Sequence, residues 1–288
     1  MLKTPLISVI IPCFNIPPEH LKAAVTSALG QTHPNIEVIV VNDGSTQPAT
    51  LQALAELQRA SLVRVLHQPN GGVSKALNAG ISAASGCYFI PLNDDIIDPP
   101  YLQEALSILE SDPQIGIVYC KADFFGAKSG AWHLPAFDIK RQLIDNCIFV
   151  TSLFRKEDWT RVGGFDESMR GREDHDFVMK VLGLGRSVHR LSGTYFHYRR
   201  PVGVQTVNDQ VAADRTALIS AYSSIFRNNC ELYVRNAESL FEYIFELVDE
   251  RNDLANRYRM LERIRLGRLG GRLWSAARSI RRHVGRVW

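Results

Sequence analysis

Apolar positions in the first 126 residues follow two alternating patterns. Short β-branched runs occupy 6–12 (LISVIIP), 36–42 (IEVIVVN), 62–67 (LVRVLH), 87–92 (CYFIPL) and 116–120 (GIVYC). Between them lie stretches of helical character near 18–30, 47–60, 73–85 and 99–111. Strand, helix, strand, repeated in this way, predicts an α/β fold with a mainly parallel, Rossmann-like sheet flanked by helices. The punctuation agrees: Pro17-Pro18 can open the first helix, Asn42-Asp43-Gly44-Ser45 follows the second strand, and Asp98-Pro99-Pro100 precedes a helix.

The pattern changes after residue 126. Residues 127–200 carry aromatic residues, loops and one predicted helix near 173–184, and suit a second lobe over the same sheet edge. After about Gln210 the chain is helical. Tyr233, Leu240, Leu247, Leu254 and Leu261 recur every seven residues, with Ala237, Ile244 and Tyr258 at the other seam position and Arg251 interrupting it. This predicts a helical hairpin or short coiled coil over 231–264, packed on the body or on another copy in a homo-oligomer. Gly267, Gly270 and Gly271 then precede a C-terminal basic amphipathic segment over 273–288.

Composition narrows the classes. With 45% hydrophobic and 22% charged residues over 288 positions, the chain is neither disordered nor collagen-like. The five cysteines are scattered, odd in number and form no Cys-x-x-Cys pair, which favours a reducing compartment and argues against a zinc cluster. No apolar stretch reaches about 18 residues, so no transmembrane helix is expected. The N-terminal apolar run is short, is broken by Pro12 and lacks a small-residue cleavage site, so a signal peptide is not expected. The net charge of +3 hides an asymmetry. Eight arginines and no acid lie in 263–288, leaving 25 basic against 30 acidic residues, or −5, for 1–262. Such a tail suits an anionic partner, with a membrane surface as the first candidate.

In open sheets of this kind, ligands bind beyond the carboxyl ends of the strands. The polar groups there are Asn15, Asp43, Asn70 and Asn93-Asp94-Asp95. Adjacent carboxylates repel and are relieved by a cation or by hydrogen bonds, so Asp94-Asp95 suits Mg²⁺ or Mn²⁺. The same residues also suit a solvated turn that caps the next helix. Asp43 suits either a turn or a nucleotide contact. Asn70-Gly71-Gly72, with Lys75 nearby, suits either a tight turn or a phosphate cradle. Glu173-Asp174 and Asp176 open the 173–184 helix, as a general base or as acids against the helix dipole. His197 is either a structural histidine or a ligand beside a carboxylate-bound cation. Trp132, His133, Phe137 and Trp159 suit either an acceptor platform or local core. Three patterns are absent: G-x-G-x-x-G after the first strand, G-x-x-x-x-G-K-[ST], and G-x-S-x-G. Their absence disfavours a dinucleotide dehydrogenase, a P-loop NTPase and an α/β-hydrolase.

Five blocks in order resemble the family-2 glycosyltransferases of the GT-A fold, across roughly residues 5–205. They are ISVIIPCFN (7–15), VIVVNDGST (38–46), NGGVSKALNAGISAASGCYFIPLNDD (70–95), GGFDE followed by Glu173-Asp174, and HYRR (197–200). Two positions depart from the family pattern: Asn42 and Asn93 stand where it has aspartate. The resemblance implies a nucleotide-sugar-binding half over 1–126, an acceptor-binding half over 127–210, and a helical extension over 211–288. It implies that Pro12 and Phe14 line a base pocket, Asp43 binds the nucleobase and Asp94 the ribose. It places Asn93 at the start of the D-x-D motif, Asp95 on a Mn²⁺ or Mg²⁺ ion, His197 as a further metal ligand and Asp174 as general base. Asn70 and Lys75 fall to the diphosphate. The activity it implies is an inverting, metal-dependent transfer from a nucleotide-sugar, UDP by default, to a saccharide or lipid-linked saccharide in surface polysaccharide synthesis. Such an enzyme is expected in the cytoplasm, with the basic tail offering contact with the inner face of the cell membrane. No nucleic-acid partner is expected. A non-catalytic scaffold of a synthase complex and a nucleotidyltransferase are the alternatives. The latter is disfavoured because PCFNIPPEH lacks the Gly- and basic-rich loop of those enzymes.

Overall fold

A computed structural model describes residues 4–266, apart from 61–62, 201–202 and 204–205. The first half alternates β1 (Ile7–Cys13), α1 (Pro18–Leu29), β2 (Ile36–Asp43), α2 (Pro48–Arg59), β3 (Arg64–Gln68), α3 (Val73–Ala83) and β4 (Tyr88–Pro91). A two-residue strand, β5 (Ile96–Ile97), follows the Asn93–Asp95 turn. Next come α4 (Tyr101–Ser111), β6 (Ile115–Gly126), β7 (Gly130–Trp132) and the single turn α5 (Ile139–Gln142). Then come β8 (Leu153–Arg155), α6 (Lys156–Val162), α7 (Glu173–Gly183) and the long β9 (Ser187–Arg200). The C-terminal helices are α8 (Val207–Ala213), α9 (Arg215–Asn228), α10 (Cys230–Arg235) and α11 (Ala237–Leu266).

One sheet runs through the body in the order β3-β2-β1-β4-β8-β6-β9-β5, with β7 on β6. The expected parallel half is β3-β2-β1-β4. Beyond β4 the sheet becomes mixed, because β8 is antiparallel to both β4 and β6, β5 is antiparallel to β9, and β6 and β9 are parallel. Every residue of β1 is buried, as befits a central strand covered on both faces. Pro18 and Pro48 sit in the first turns of α1 and α2, where a missing N–H costs nothing. Helix α7 is fixed by Phe177, whose ring stacks on Phe165 at 4.2 Å and lies 5.2 Å from Phe154 of β8 and 6.2 Å from Phe89 of β4.

The helical extension begins with two side-chain caps. Thr206 forms a reciprocal capping box with Asp209, and Asp214 accepts from the N–H groups of Thr216 and Ala217. The 231–264 region is neither a hairpin nor uninterrupted. Asn236 breaks it into α10 and the 30-residue α11, and the Asn236 amide donates to the Leu232 carbonyl. The first turns of α11 dock on α5: Tyr243 is buried, its hydroxyl accepts from Arg141, and Lys140 pairs with Glu246 at 2.7 Å. Of the basic tail 263–288, to which the expected membrane contact falls, residues 267–288 lie outside the described residues. Among those described, no helix is long and apolar enough to cross a membrane. All five cysteines are unpaired.

Candidate active site

Three adjacent strands, β2, β1 and β4, deliver their carboxyl ends to one edge of the sheet. The loops that follow carry most of the candidate residues. Among the described residues three non-glycine positions have positive φ: Asn15 after β1 (53°), Asn93 after β4 (57°) and Arg172 immediately before Glu173 (62°). Left-handed backbone is unfavourable for L-residues, and its use in two neighbouring strand-end loops, at Asn15 and Asn93, marks a surface shaped for more than packing.

Asp43 ends β2 and is buried. Its carboxylate accepts from Gln68 at 2.7 Å and from the Gly71 and Gly72 N–H groups, both at 2.9 Å. The Asn70 amide donates to the Asp43 carbonyl. Gly44, at φ +73°, allows this closure, since a Cβ there would lie 2.6 Å from the Asn70 nitrogen. Asp43 thus holds the Asn70–Gly72 loop in place and keeps roughly one of about four acceptor positions free. Asn70 and Lys75 are exposed, the latter at the start of α3 with its stem against Gly71. Pro12 is buried in β1, whereas Phe14 stands 52% exposed just beyond it, an apolar ring at the strand end with no core to fill. The Asn15 side chain accepts from the Thr46 and Gln47 N–H groups and so ties the β1 loop to the β2 loop. Asn42 donates from its amide nitrogen to His67 and accepts from Ser45 N–H, so both ends of its amide are engaged.

The Asn93–Asp95 turn has a different character. Asp95 is buried and accepts the Arg199 backbone N–H at 2.7 Å. Burial, and then the negative charge of Asp94, push its carboxyl well above the ordinary range despite that hydrogen bond. Asp94 is half-buried, with Arg199 Nε and His20 Nδ1 each 3.6 Å from its Oδ2, and its carbonyl accepts from Arg199. The Asn93 Oδ1 is buried without a hydrogen-bond partner. These oxygens have the chemistry of a hard-cation site. Among the described residues, however, no three His, Cys, Asp or Glu side chains gather to enclose an ion. The protein would supply two adjacent carboxylates and leave most of a coordination shell to other oxygens.

His197, expected as a further metal ligand, lies on β9 beside this turn. It pairs in register with Ile96 of β5 and Asp123 of β6. Its Nδ1 lies 2.6 Å from Asp123 Oδ1 and its Nε2 3.1 Å from Asp98 Oδ1. Burial disfavours the imidazolium, but the hydrogen bonds to Asp123 and Asp98 outweigh it, and the pKa is raised.

On the far side, Asp174 lies in the first turn of α7. Its Oδ1 accepts from the His175 N–H and its Oδ2 from Asn146. Asn146 is oriented in turn by Gln142, which donates to its side-chain oxygen, and buried His175 bonds the Gln142 carbonyl. Glu173 is the surprise. Burial, with the adjacent Asp174 charge second, raises its pKa to about 7, and its Oε2 is buried without a hydrogen-bond partner. Asp176 instead is structural: it is buried, ion-paired with Lys180, and accepts from Asn228 and Asn229. The GGFDE turn is joined to α3 by Asn78, which accepts from the Phe165 N–H and Trp159 Nε1 and donates to the Phe165 carbonyl and Glu167. Trp132, Phe137 and Trp159 pack against the core, and His133 is exposed. Arg199, Asn146 and Gln142 were not singled out by sequence reasoning. For Arg199 the signal was the HYRR block itself.

The chain is similar in sequence and fold to known proteins. The profile of Glycosyl transferase family 2 matches residues 8–174. An uncharacterized glycosyltransferase of Rickettsia prowazekii is 32% identical over 213 residues, covering 68% of this chain and 62% of its own length. The hyaluronan synthase of Pasteurella multocida is 28% identical over 193 residues, covering 65% of this chain and 20% of the synthase. The chain thus spans less than two thirds of either relative. Crystal structures of S. aureus TarS residues 1–349 share the fold. The complex with UDP has a TM-score of 0.57 at 20% identity, covering 80% of this chain and 71% of TarS. The complex with UDP-GlcNAc has a TM-score of 0.58 at 20% identity, covering 80% and 72%. With more than half of its residues matched by the family profile, the chain belongs to glycosyltransferase family 2.

Proposed function

We propose that this chain is an inverting, metal-dependent glycosyltransferase. It moves a sugar from a nucleoside-diphospho-sugar, of the UDP type, to a hydroxyl of a saccharide or lipid-linked saccharide in surface polysaccharide synthesis. The observation that carries this reading is the convergence of the Asp43-held loop and the Asp94-Asp95 turn at the ends of strands on either side of β1. TarS crystals holding UDP and UDP-GlcNAc support the donor class.

In this reading Phe14 and Pro12 line the base pocket, and Asp43 uses its remaining acceptor position on the nucleobase. Asp94 meets the ribose. Asn70, Lys75 and the Gly71-Gly72 backbone lie along the diphosphate. A divalent cation, Mn²⁺ or Mg²⁺, would be held by Asp95 with Asp94 and Asn93 beside it, and when bound it would offset the charge developing on the departing diphosphate. The high cost of ionising buried Asp95 without a cation supports that assignment. His197, paired with Ile96 beside this turn and flanked by Asp98 and Asp123, would be a further ligand of that cation. Asp174, held by Asn146 and the His175 N–H, takes the proton from the acceptor hydroxyl as the oxygen attacks the anomeric carbon. One base acting opposite the leaving group gives a single displacement with inversion.

The test is donor hydrolysis and binding across a panel of nucleotide-sugars, with Mn²⁺, Mg²⁺ or EDTA, for wild type and Asp95→Ala. Turnover of one donor that is lost with EDTA and in the variant is the expected result. A folded wild type that binds no donor would overturn the enzymatic reading and favour a non-catalytic scaffold.

A further inference from the structure

Helix α11 extends 30 residues, about 45 Å at 1.5 Å per residue. Its first turns are fixed to α5 through Tyr243 and Glu246. The face turned away from that contact is a regular stripe: Phe241, Phe245, Val248, Asn252, Ala255 and Arg259, at spacings of four, three, four, three and four. Phe241 and Phe245 are 56% and 64% exposed, an unusual state for two phenylalanines one turn apart.

Two independent features say what covers this stripe. The first is charge. Residues 237–250 contain five acids and no base, namely Glu238, Glu242, Glu246, Asp249 and Glu250. Residues 251–266 contain five arginines against Asp253 and Glu262. A second α11 laid parallel would set five acids on five acids. Laid antiparallel, it sets the acidic half of each copy on the basic half of the other. The second feature is shape. An antiparallel pair centred on residue 250 places Phe245 against Ala255, Phe241 against the stem of Arg259, and Val248 against Asn252. Large residues thus meet small or flexible ones along the whole stripe, twice over, as two-fold symmetry requires.

We propose that α11 pairs antiparallel with α11 of a second copy of this chain through the Phe241–Arg259 stripe. The contact is isologous and leaves the α5 docking face of each copy in place.

The test is the mass of the full-length chain by light scattering over a concentration series, at low and high salt. Wild type is expected to be a dimer that weakens as salt rises. Phe245→Ala is expected to raise the dimer dissociation constant at least tenfold, with unfolding and donor turnover unchanged, because the side chain is exposed in the single chain. Adding Ala255→Phe to Phe245→Ala exchanges the large and small positions and is expected to restore the dimer. Orientation is read by mixing Val248→Cys with Asn252→Cys chains, each also carrying Cys87→Ser and Cys230→Ser. An antiparallel pair gives the mixed disulfide, whereas a parallel pair gives only like-with-like bridges. A monomeric wild type at all concentrations overturns the proposal, and so does a dimer indifferent to Phe245→Ala. A monomer that instead co-floats with anionic lipid vesicles through this face also overturns it and assigns the stripe to a lipid surface.

Discussion

Replacing Asp43 by alanine tests whether one carboxylate both builds and furnishes the donor loop. Its three hydrogen bonds, at 2.7, 2.9 and 2.9 Å, come from Gln68 and from the Gly71 and Gly72 amides. Hydrogen bonds to a charged group contribute about 1.5–3 kcal/mol each, so a simple sum gives roughly 5–9 kcal/mol. That sum is a ceiling, because Gly71 and Gly72 are exposed and water can replace the carboxylate at their amides. The net loss expected for Asp43→Ala is therefore about 2–4 kcal/mol, a substantial share of a typical folding free energy. Asp43→Asn keeps the size and one acceptor oxygen but turns an NH₂ toward an N–H donor, so its loss is expected to be about 1–2 kcal/mol. Urea unfolding of the three proteins reads the stability, and calorimetric titration with UDP reads affinity, which is expected to fall at least tenfold in both variants. A stability change below about 0.5 kcal/mol for the alanine variant would refute the latch. Lost stability with unchanged UDP affinity would leave Asp43 as a latch alone.

Three further outcomes concern Asp174, Glu173 and His197. Asp174→Asn is expected to lower kcat by roughly 10²–10⁴ while leaving donor binding within twofold, checked by turnover and UDP titration. Glu173 has a folded-state pKa raised to about 7 from 4.5, chiefly by burial, so its stabilising contribution is present below pH 4.5 and is lost as pH rises through 7. Glu173→Gln should accordingly be neutral at pH 4 and stabilising by about 2–3 kcal/mol at pH 8, and equal effects at both pH values would count against this. His197 also has a raised pKa, with burial overcome by Asp123 and Asp98, and its stabilising contribution is full below pH 6.5 and fades above the folded-state value. His197→Gln should cost most near pH 5.5 and little at pH 9, as read by thermal unfolding across that range.

The legible parts of the fold were those in which local pattern and tertiary role agree. Strands β1, β2 and β4 are buried on both faces and bounded by Pro, Gly or Asn, so the sequence marked them within two residues. Strand β9 was missed because its residues are mostly half-buried and show no clean alternation, and α6 was missed because seven residues are too few for a period to appear. At the candidate site, Asp43, Asp94-Asp95 and Asp174 were visible as acids after strands or at a helix start. Their partners were not. Asp123 is 74 residues from His197, and Arg199 is 104 from Asp95. The carboxylate partners on both ring nitrogens of His197 and the buried carboxyl of Glu173 are products of that long-range closure, and local spacing does not encode them. The 231–264 seam predicted helix correctly but hid the break at Asn236, since an asparagine amide capping Leu232 leaves the heptad register undisturbed.

Asn78 sets a rule for recombination between relatives. Its one amide group grips Trp159, both backbone groups of Phe165, and Glu167, across more than 80 residues of chain. Gly164 is bound into the same junction, since at φ +78° a Cβ there would lie 2.6 Å from the Asn78 oxygen. A crossover placed anywhere between residues 78 and 159 therefore separates a lock from its key. Chimeras that exchange the 159–167 segment must inherit a matching α3 surface, so the practical unit of exchange is larger than that segment itself.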